Sequence, residues 1–236
     1  MNNILFTICA RAGSKGLKNK NISDFLGKPL CYQTLSVYDA FRKKHAEHNY
    51  HLALNTDSLE LIEQVKSYNI PFEYVERTPE LSGDFVSKLD VIRDTYRKVE
   101  GDFDFAIDLD LTSPLRTVDD VYGVLDLALK NESADGAFSV TDARRSPYFN
   151  QVQKNEDGFY YPVINYGAIA RQQVPEVFDM NASIYVYRSS FLKKVNKQLF
   201  EGKMLVYIMR DNGVLDIDCQ RDKDLMEIVA NYLSNE

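Results

Sequence analysis

The chain is poor in cysteine, has no excess of positive charge and contains no long apolar run. Cys9, Cys31 and Cys219 are odd in number and far apart, which excludes a disulfide scaffold and points to reduced thiols in a cytoplasm. Cys9 sits beside a basic loop, yet no His–Asn pattern supports a thiol nucleophile, so it reads as a packing residue. The formal net charge is −7, and outside that one loop there is no basic footprint for nucleic acid. No stretch is long enough to span a bilayer, and the N-terminus lacks the charged-then-apolar layout of a signal peptide. The expectation is a cytoplasmic protein with neither membrane nor nucleic-acid partners. Internal repeats and low-complexity tracts are also missing. What remains is 236 residues of ordinary globular composition, enough for one domain (1–236) with an appendage.

What the chain does have begins at once. An apolar, strand-like run over 4–10 leads into Arg11-Ala12-Gly13-Ser14-Lys15-Gly16-Leu17-Lys18-Asn19-Lys20-Asn21. Glycines let the backbone approach a ligand, and inward-turned amides form an anion nest. Arg11 offers a planar fork, and Lys15, Lys18 and Lys20 offer point charges, so the loop suits a triphosphate. The spacing is not that of a P-loop, which needs four residues between glycines and a Gly-Lys-Ser/Thr ending. Nor is it the dinucleotide fingerprint, which needs a third glycine. A solvated basic turn between strand and helix is the plainer alternative.

Strand-like and helix-like segments then alternate. Helices are expected over 29–44, 59–68, 87–99, 118–130 and 189–199, with a last one carrying Leu225, Ile228, Val229 and Tyr232 at helical spacing. Strands are expected over 50–55, 72–75, 103–109, 136–140, 182–188 and 204–209. In the helix at 118–130, Val118, Val121, Tyr122 and Leu125 fall on one face. The rhythm implies an α/β fold, a mostly parallel sheet with helices on both sides. It breaks over 142–178, a polar, Tyr-rich segment of extended character, read as an inserted β-rich arm suited to a subunit contact.

Ligands of an open parallel sheet bind at the carboxyl ends of its strands. Three polar clusters besides the basic loop fall there. Asn55-Thr56-Asp57 serves equally as a ligand contact or a helix N-cap. Asp110-Leu111-Thr112-Ser113-Pro114-Leu115-Arg116 follows another strand. Leu215-Asp216-Ile217-Asp218 places two carboxylates at i, i+2, which on an extended segment aim to one side and suit a hard divalent cation; solvated or capping acids are the alternative. A triphosphate cradle with metal carboxylates suggests nucleotidyl transfer, which needs no covalent enzyme intermediate.

In these motifs, nearly end to end and in order, the chain resembles the CMP-sialic acid synthetases (acylneuraminate cytidylyltransferases). The resemblance implies a Rossmann-like nucleotidyltransferase sheet similar to glycosyltransferase-A folds, a dimerisation arm over 142–178, a homodimer, and CTP, Mg²⁺ and a nonulosonic acid as reaction partners. It assigns nucleotide contacts to Ala10, Arg11, Gly13, Ser14, Lys15, Lys20, Asn21, Arg77 and Ser82, and metal ligation to Asp216 and Asp218. Arg11, Lys15 and Asp216 would be catalytic. The sugar would meet Asp110, Ser113, Arg171, Gln172, Asn181 and Tyr185, with Arg171 reaching the neighbouring subunit's sugar carboxylate and Arg144 or Arg145 in reserve. Leu199 and Phe200 would form an apolar wall against an acetamido methyl, or simply pack in the core.

Typical sialic acid enzymes carry Gln-Pro where this chain has Asp110-Leu111. An ionised Asp only accepts hydrogen bonds, so a different substituent pattern is implied. Asp108-Leu109-Asp110, Arg144-Arg145-Ser146-Pro147-Tyr148-Phe149 and Asp179-Met180-Asn181 look more like the branch that activates legionaminic acid. The 3-deoxy-octulosonate synthetases are less similar, since their loop uses arginines where Lys15 and Lys20 stand. Two other readings remain. Asp108-Leu109-Asp110 matches the Asp-x-Asp of metal-dependent glycosyltransferases, and a nucleotide-binding homologue without activity would keep the fold alone.

Overall fold

The structure is a computed structural model that describes residues 1–13, 16–83, 85–194, 197–210, 212 and 216–235. Its centre is β1 (Asn3–Cys9), where every residue from Ile4 to Ile8 is buried on one face or the other. Such a continuous apolar run marks an interior parallel strand covered on both sides. After β1 come two short antiparallel strands, β2 (Asp24–Phe25) and β3 (Lys28–Pro29), and then helix α1 (Cys31–Lys44). The chain continues through β4 (Asn49–Thr56), α2 (Leu59–Ser67), β5 (Glu73–Glu76), α3 (Lys88–Lys98), β6 (Phe105–Leu109), α4 (Val118–Lys130) and β7 (Gly136–Asp142). Three helix starts follow from their caps. The Ser58 and Ser87 side chains accept from Leu61 and Asp90 amides, and Thr117 forms a capping box with Asp120.

Between β7 and β10 (Phe178–Arg188) lies the arm, with β8 (Val152–Lys154) and β9 (Tyr160–Pro162). Its regular strand is confined to this short antiparallel hairpin, so it is less β-rich than expected. The chain ends with α5 (Ser189–Leu192), β11 (Met204–Ile208) and α6 (Gln220–Leu233). The helix expected over 189–199 therefore stops at Leu192. Further on, Arg93 of α3 donates to the Lys197 carbonyl. Val195 and Asn196 lie outside the described residues.

Among the described residues the large sheet has seven strands in the order β11-β7-β10-β6-β1-β4-β5. All pairs are parallel except those of β10, which runs antiparallel to both β6 and β7. This confirms the mostly parallel α/β sheet expected from the sequence. Helices α1, α2 and α4 pack on one face around Phe6, Leu54, Ile107 and Val186. Phe6 meets Tyr38 edge-on at 5.0 Å and Phe41 at 5.4 Å, and truncating it to alanine would cost about 3–5 kcal/mol. Helices α3 and α5 cover the other face around Leu5, Ala53, Ala106 and Tyr187. A third, small cluster of Phe25, Leu30, Ile217 and Met226 seats α6.

The last helix departs from expectation. Leu225, Ile228 and Tyr232 are exposed, and Met226 is the buried residue. The helical period holds but the buried stripe differs, because α6 packs through Met226 and Ala230 onto a cluster too small to cover more of it.

The chain winds from β1 to β4 and β5 in one direction, then returns to β6 on the opposite side of β1. Connections on either side of that reversal diverge, opening a crevice at the carboxyl ends of β1 and β6. The basic loop leaves β1 there, and the Asp110–Arg116 loop leaves β6.

Candidate active site

A cleft of about 360 Å³ occupies this crevice. Its lining includes Ala10, Arg11, Gly16, Lys20 and Asn21 from the basic loop, with Arg77, Asp110, Asp216 and Asp218. Residues far apart in sequence are thus gathered at one place. Ser14 and Lys15, also expected in the loop, lie outside the described residues, as does Leu215.

Hydrogen bonds tie the basic loop to its surroundings on two sides. On one side, Arg11 Nη1 donates to the Ser82 carbonyl (2.9 Å), and Asn21 Nδ2 donates to the Arg11 carbonyl (3.0 Å). Asp57 joins the same two segments: its carboxylate accepts from the Ala12 amide (2.6 Å) and the Ser82 hydroxyl (3.0 Å). Asp57 is therefore neither the cap, which is Ser58, nor a lining residue of the cleft, but a latch between loop and the 77–82 segment. Arg77 donates from Nε to the Leu81 carbonyl, and burial lowers its pKa. Gly13 adopts φ +69, a left-handed conformation that glycine takes at little cost.

On the other side, the loop grips the acid segment. The Leu17 amide donates to the Asp218 carbonyl (2.9 Å), and Lys20 Nζ donates to the Ile217 carbonyl (2.9 Å) and Asp218 Oδ1 (2.8 Å). Ile217 is fully buried, and its amide donates to the Thr112 carbonyl (2.9 Å). Its neighbours Asp216 and Asp218 both line the cleft, the alternation expected of an extended pair. Burial, then the Asp218 charge, pushes the Asp216 carboxyl up to about 6, with Lys20 opposing. Two adjacent carboxylates, one of them raised by burial and then by its neighbour's charge, form a hard-oxygen donor set that a divalent cation would relieve. The residues present fit Mg²⁺.

Behind the cleft, joined to it through Asp110, is an ion cluster that sequence reasoning missed. Lys88, the first residue of α3, places Nζ 2.5 Å from Asp110 Oδ2 and 2.9 Å from Asp108 Oδ2. Asp108 is fully buried and also accepts from the Thr7 hydroxyl (2.7 Å). Asp110 Oδ1 accepts from the Thr112 amide (3.0 Å) and hydroxyl (2.9 Å). Burial opposes the Lys88 charge, but Asp108 and Asp110 outweigh it and hold the ammonium well above the ordinary lysine value. Burial likewise opposes the Asp110 charge, yet Lys88 and Thr112 hold that carboxyl well below the ordinary range. This cluster also bears on the Asp-x-Asp reading: both carboxylates are committed to Lys88, so the pair is not a preformed metal site. A signal for Lys88 existed in the sequence, a cation in the first turn of a helix, where the macrodipole disfavours it.

Other expected sugar residues are spread more widely. Tyr185 of β10 is buried, with Lys88 Nζ 5.4 Å from its ring centroid. Ser113 and Asn181 line a separate, small cavity with Arg116 and Met209. Asn181 accepts from the Ser139 hydroxyl (2.7 Å), next to a β-bulge where Ala182 takes φ +51. Arg116 is turned inward onto the Ser113 and Asp110 carbonyls, so it braces the loop after β6. Arg171 donates to the Ala143 carbonyl (2.8 Å) and borders a second cleft of about 430 Å³ at the base of the arm. Gln172 is exposed on the same turn. Leu199 packs against the core, whereas Phe200 is exposed with its ring 6.2 Å from Phe138.

A family profile described as cytidylyltransferase matches residues 5–231, almost the whole span that builds this cleft. The chain belongs to the cytidylyltransferase family. It is a nucleotidyltransferase, as the cradle and acid pair suggested, and the resemblance read from its motifs holds at family level. It is 32% identical over 233 residues to the post-translational flagellin modification protein B of Campylobacter coli, covering 97% of this chain and 95% of that one. It is 30% identical over 242 residues to the CMP-N,N'-diacetyllegionaminic acid synthase of Campylobacter jejuni, covering 98% and 96%. Among solved structures, a CMP:2-keto-3-deoxy-manno-octonic acid synthetase in complex with CTP superposes with a TM-score of 0.71 at 16% identity, covering 99% of this chain and all of the other. That likeness establishes the cytidylyltransferase sheet as the fold. Among the described residues no helix is long and apolar enough to cross a membrane.

Proposed function

We propose that the protein joins CTP to a free nonulosonic acid, releasing pyrophosphate and a CMP-sugar, with an acceptor of the N,N'-diacetyllegionaminic type. The observation that carries this reading is the convergence of Arg11, Lys20, Asp216 and Asp218 on one cleft at the strand reversal. The full-length similarity to a protein named as a CMP-N,N'-diacetyllegionaminic acid synthase supports the acceptor class.

In this reading Arg11 and Lys15 neutralise the β- and γ-phosphates as the bond to pyrophosphate breaks, and Lys20 and Asn21 hold the α-phosphate. Arg77 and Ser82 meet the cytidine. The acceptor's anomeric hydroxyl attacks the α-phosphorus in line as pyrophosphate leaves, and its proton passes to solvent. Asp216 and Asp218 hold Mg²⁺, which supplies neutralisation of phosphate charge when bound. Lys20 pairs with Asp218 in the unliganded protein, and a phosphate and a cation arriving together would take over the two ends of that ion pair.

Asp110 and Tyr185 stand on the acceptor side, with Ser113 and Asn181 bracing the loops behind them. Arg171 and Gln172 from a second copy would reach the acceptor's carboxylate. The arm favours such a homodimer, because Phe159, Tyr160, Tyr161, Tyr166 and Ile169 are all exposed on it, and large apolar side chains gathered on one exposed segment suit a subunit contact. The free cysteines and the use of CTP suit a cytoplasmic enzyme making precursors of cell-surface polysaccharide or glycan.

The test is pyrophosphate release with CTP and Mg²⁺, comparing N,N'-diacetyllegionaminic acid, N-acetylneuraminic acid and 3-deoxy-octulosonate. Release with the first alone supports the reading, and preference for another acceptor refutes the branch. Silence with all three, from protein that still binds CTP, would refute the reaction.

A further inference from the structure

Lys88 is costly where it stands. It opens α3, at the positive end of the helix dipole, and its side chain is only 30% exposed. Two carboxylates hold it there, one fully buried and one facing the cleft. We propose that Lys88 is a positioning residue for the acceptor half of the site: it pins Asp110 as a fixed hydrogen-bond acceptor, so the group of the acceptor sugar that meets Asp110 must be a donor, a hydroxyl or an amide N–H. This rests on the nucleotidyl-transfer reading above.

The geometry leaves Asp110 little freedom. An ionised carboxylate has about four acceptor positions. Thr112 fills those of Oδ1 with its amide and hydroxyl, and Lys88 fills one on Oδ2. One acceptor position on Oδ2 remains, on a side chain 24% exposed and lining the cleft. Asp108 gives Lys88 a second anchor, held in turn by Thr7, so the ammonium cannot swing to follow a ligand. The charged and titratable groups around Asp110 include Lys88 on α3, Asp108 on β6, Cys9 on β1, Tyr185 on β10, Asp216 and Asp218 on the acid segment, Lys20 and Arg77 across the cleft, and Arg116, which donates to the Asp110 backbone carbonyl.

Lys88→Met alone would leave two like charges side by side and risks misfolding. The informative variants are Asp110→Asn, which turns half of the acceptor into a donor while Lys88 keeps Asp108, and the charge-conserving double variant Lys88→Met/Asp108→Asn. With CTP, Mg²⁺ and N,N'-diacetyllegionaminic or N-acetylneuraminic acid, each should raise the acceptor KM about tenfold or more and leave the CTP KM within about twofold. The wild-type acceptor KM should be flat between about pH 5 and 8, whereas the double variant should gain an acid limb as the unpinned Asp110 takes a proton. An unchanged acceptor KM in both variants, or an effect confined to CTP, overturns the proposal while leaving the reaction intact.

Absence of wild-type turnover would instead count against the reaction, and carboxyl ¹³C NMR then decides the role of Lys88. Asp110 should stay ionised from about pH 8 to 4 in the wild type and titrate in the double variant. Ordinary titration of Asp110 in the wild type overturns the pinning.

Discussion

Consider Gly16→Ala. A Cβ at this position would stand 2.2 Å from the Asp218 carbonyl oxygen and 3.3 Å from its carbon. The obstacle is backbone, so no side-chain rotation relieves it, and the loop must retreat by about 1.2 Å to reach ordinary contact. That movement breaks the Leu17–Asp218 hydrogen bond and pulls Lys20 away from Asp218, undoing the grip between the basic loop and the acid pair. Overpacking of this kind costs about 1–3 kcal/mol. In a chain of this size that lowers Tm by roughly 2–4 °C for each kcal/mol, so the protein stays folded at assay temperature. Function should suffer far more, because a misplacement of about 1 Å in a phosphate-handling site can reduce turnover about 10²-fold.

Gly13→Ala is the control. Its φ of +69 strains an alanine by about 1–2 kcal/mol, but among the described residues nothing lies within 4 Å of the added Cβ, so no clash with the acid segment displaces it. Steady-state pyrophosphate release and thermal unfolding of both variants make the comparison. A Gly16→Ala enzyme with wild-type kcat/KM for CTP, or one less impaired than Gly13→Ala, would show that the contact with Asp218 does not organise the site.

Four further outcomes are expected. Asp218→Ala should lower turnover by about 10²–10³-fold, an aimed charge being worth roughly 3–4 kcal/mol, with circular dichroism unchanged; near-normal activity at ordinary Mg²⁺ would remove it from the metal site. Asp57→Ala removes the latch between Ala12 and Ser82, so the CTP KM should rise about tenfold while the acceptor KM holds; equal effects on both substrates would contradict a latch confined to the nucleotide half.

In metal-free protein, Asp216 is raised to about 6 when folded, so the folded state binds the extra proton and stability should rise as pH falls through about 6 toward 4. Asp110 acts oppositely, since its lowered folded value means stabilisation that is full above about pH 4 and lost below it. Thermal unfolding in chelator and in Mg²⁺ checks both, with Mg²⁺ expected to flatten the limb near pH 6. Finally, Tyr160→Glu/Tyr161→Glu should halve the particle mass in light scattering; an unchanged mass would place any subunit contact off the arm.

Much of this protein could be read without coordinates. The order of strands and helices followed from alternation of apolar and polar residues, because a helix or strand signals its buried face locally. The basic loop and the two acids at 216 and 218 were legible for a similar reason: each is a short, dense run whose chemistry does not depend on what lies opposite. Local signals failed where partners were distant. The stripe buried by α6 was chosen by Phe25, Leu30 and Ile217, not by the helix itself, and the segment after α5 is tied at the Lys197 carbonyl to Arg93, a partner 104 residues away.

The same distinction divides the site. Sequence determined which charges were available: cations after β1, acids near the C-terminus, and Asp108 and Asp110 at the end of β6. Tertiary structure decided how they pair. The return of the chain to β6 beside β1 brought the Asp110 loop against the basic loop, and α3 lowered Lys88 between Asp108 and Asp110, turning an apparent metal motif into a closed ion cluster. Pairing of charges depends on distance and burial, and both are set only when the sheet has closed and the helices have packed.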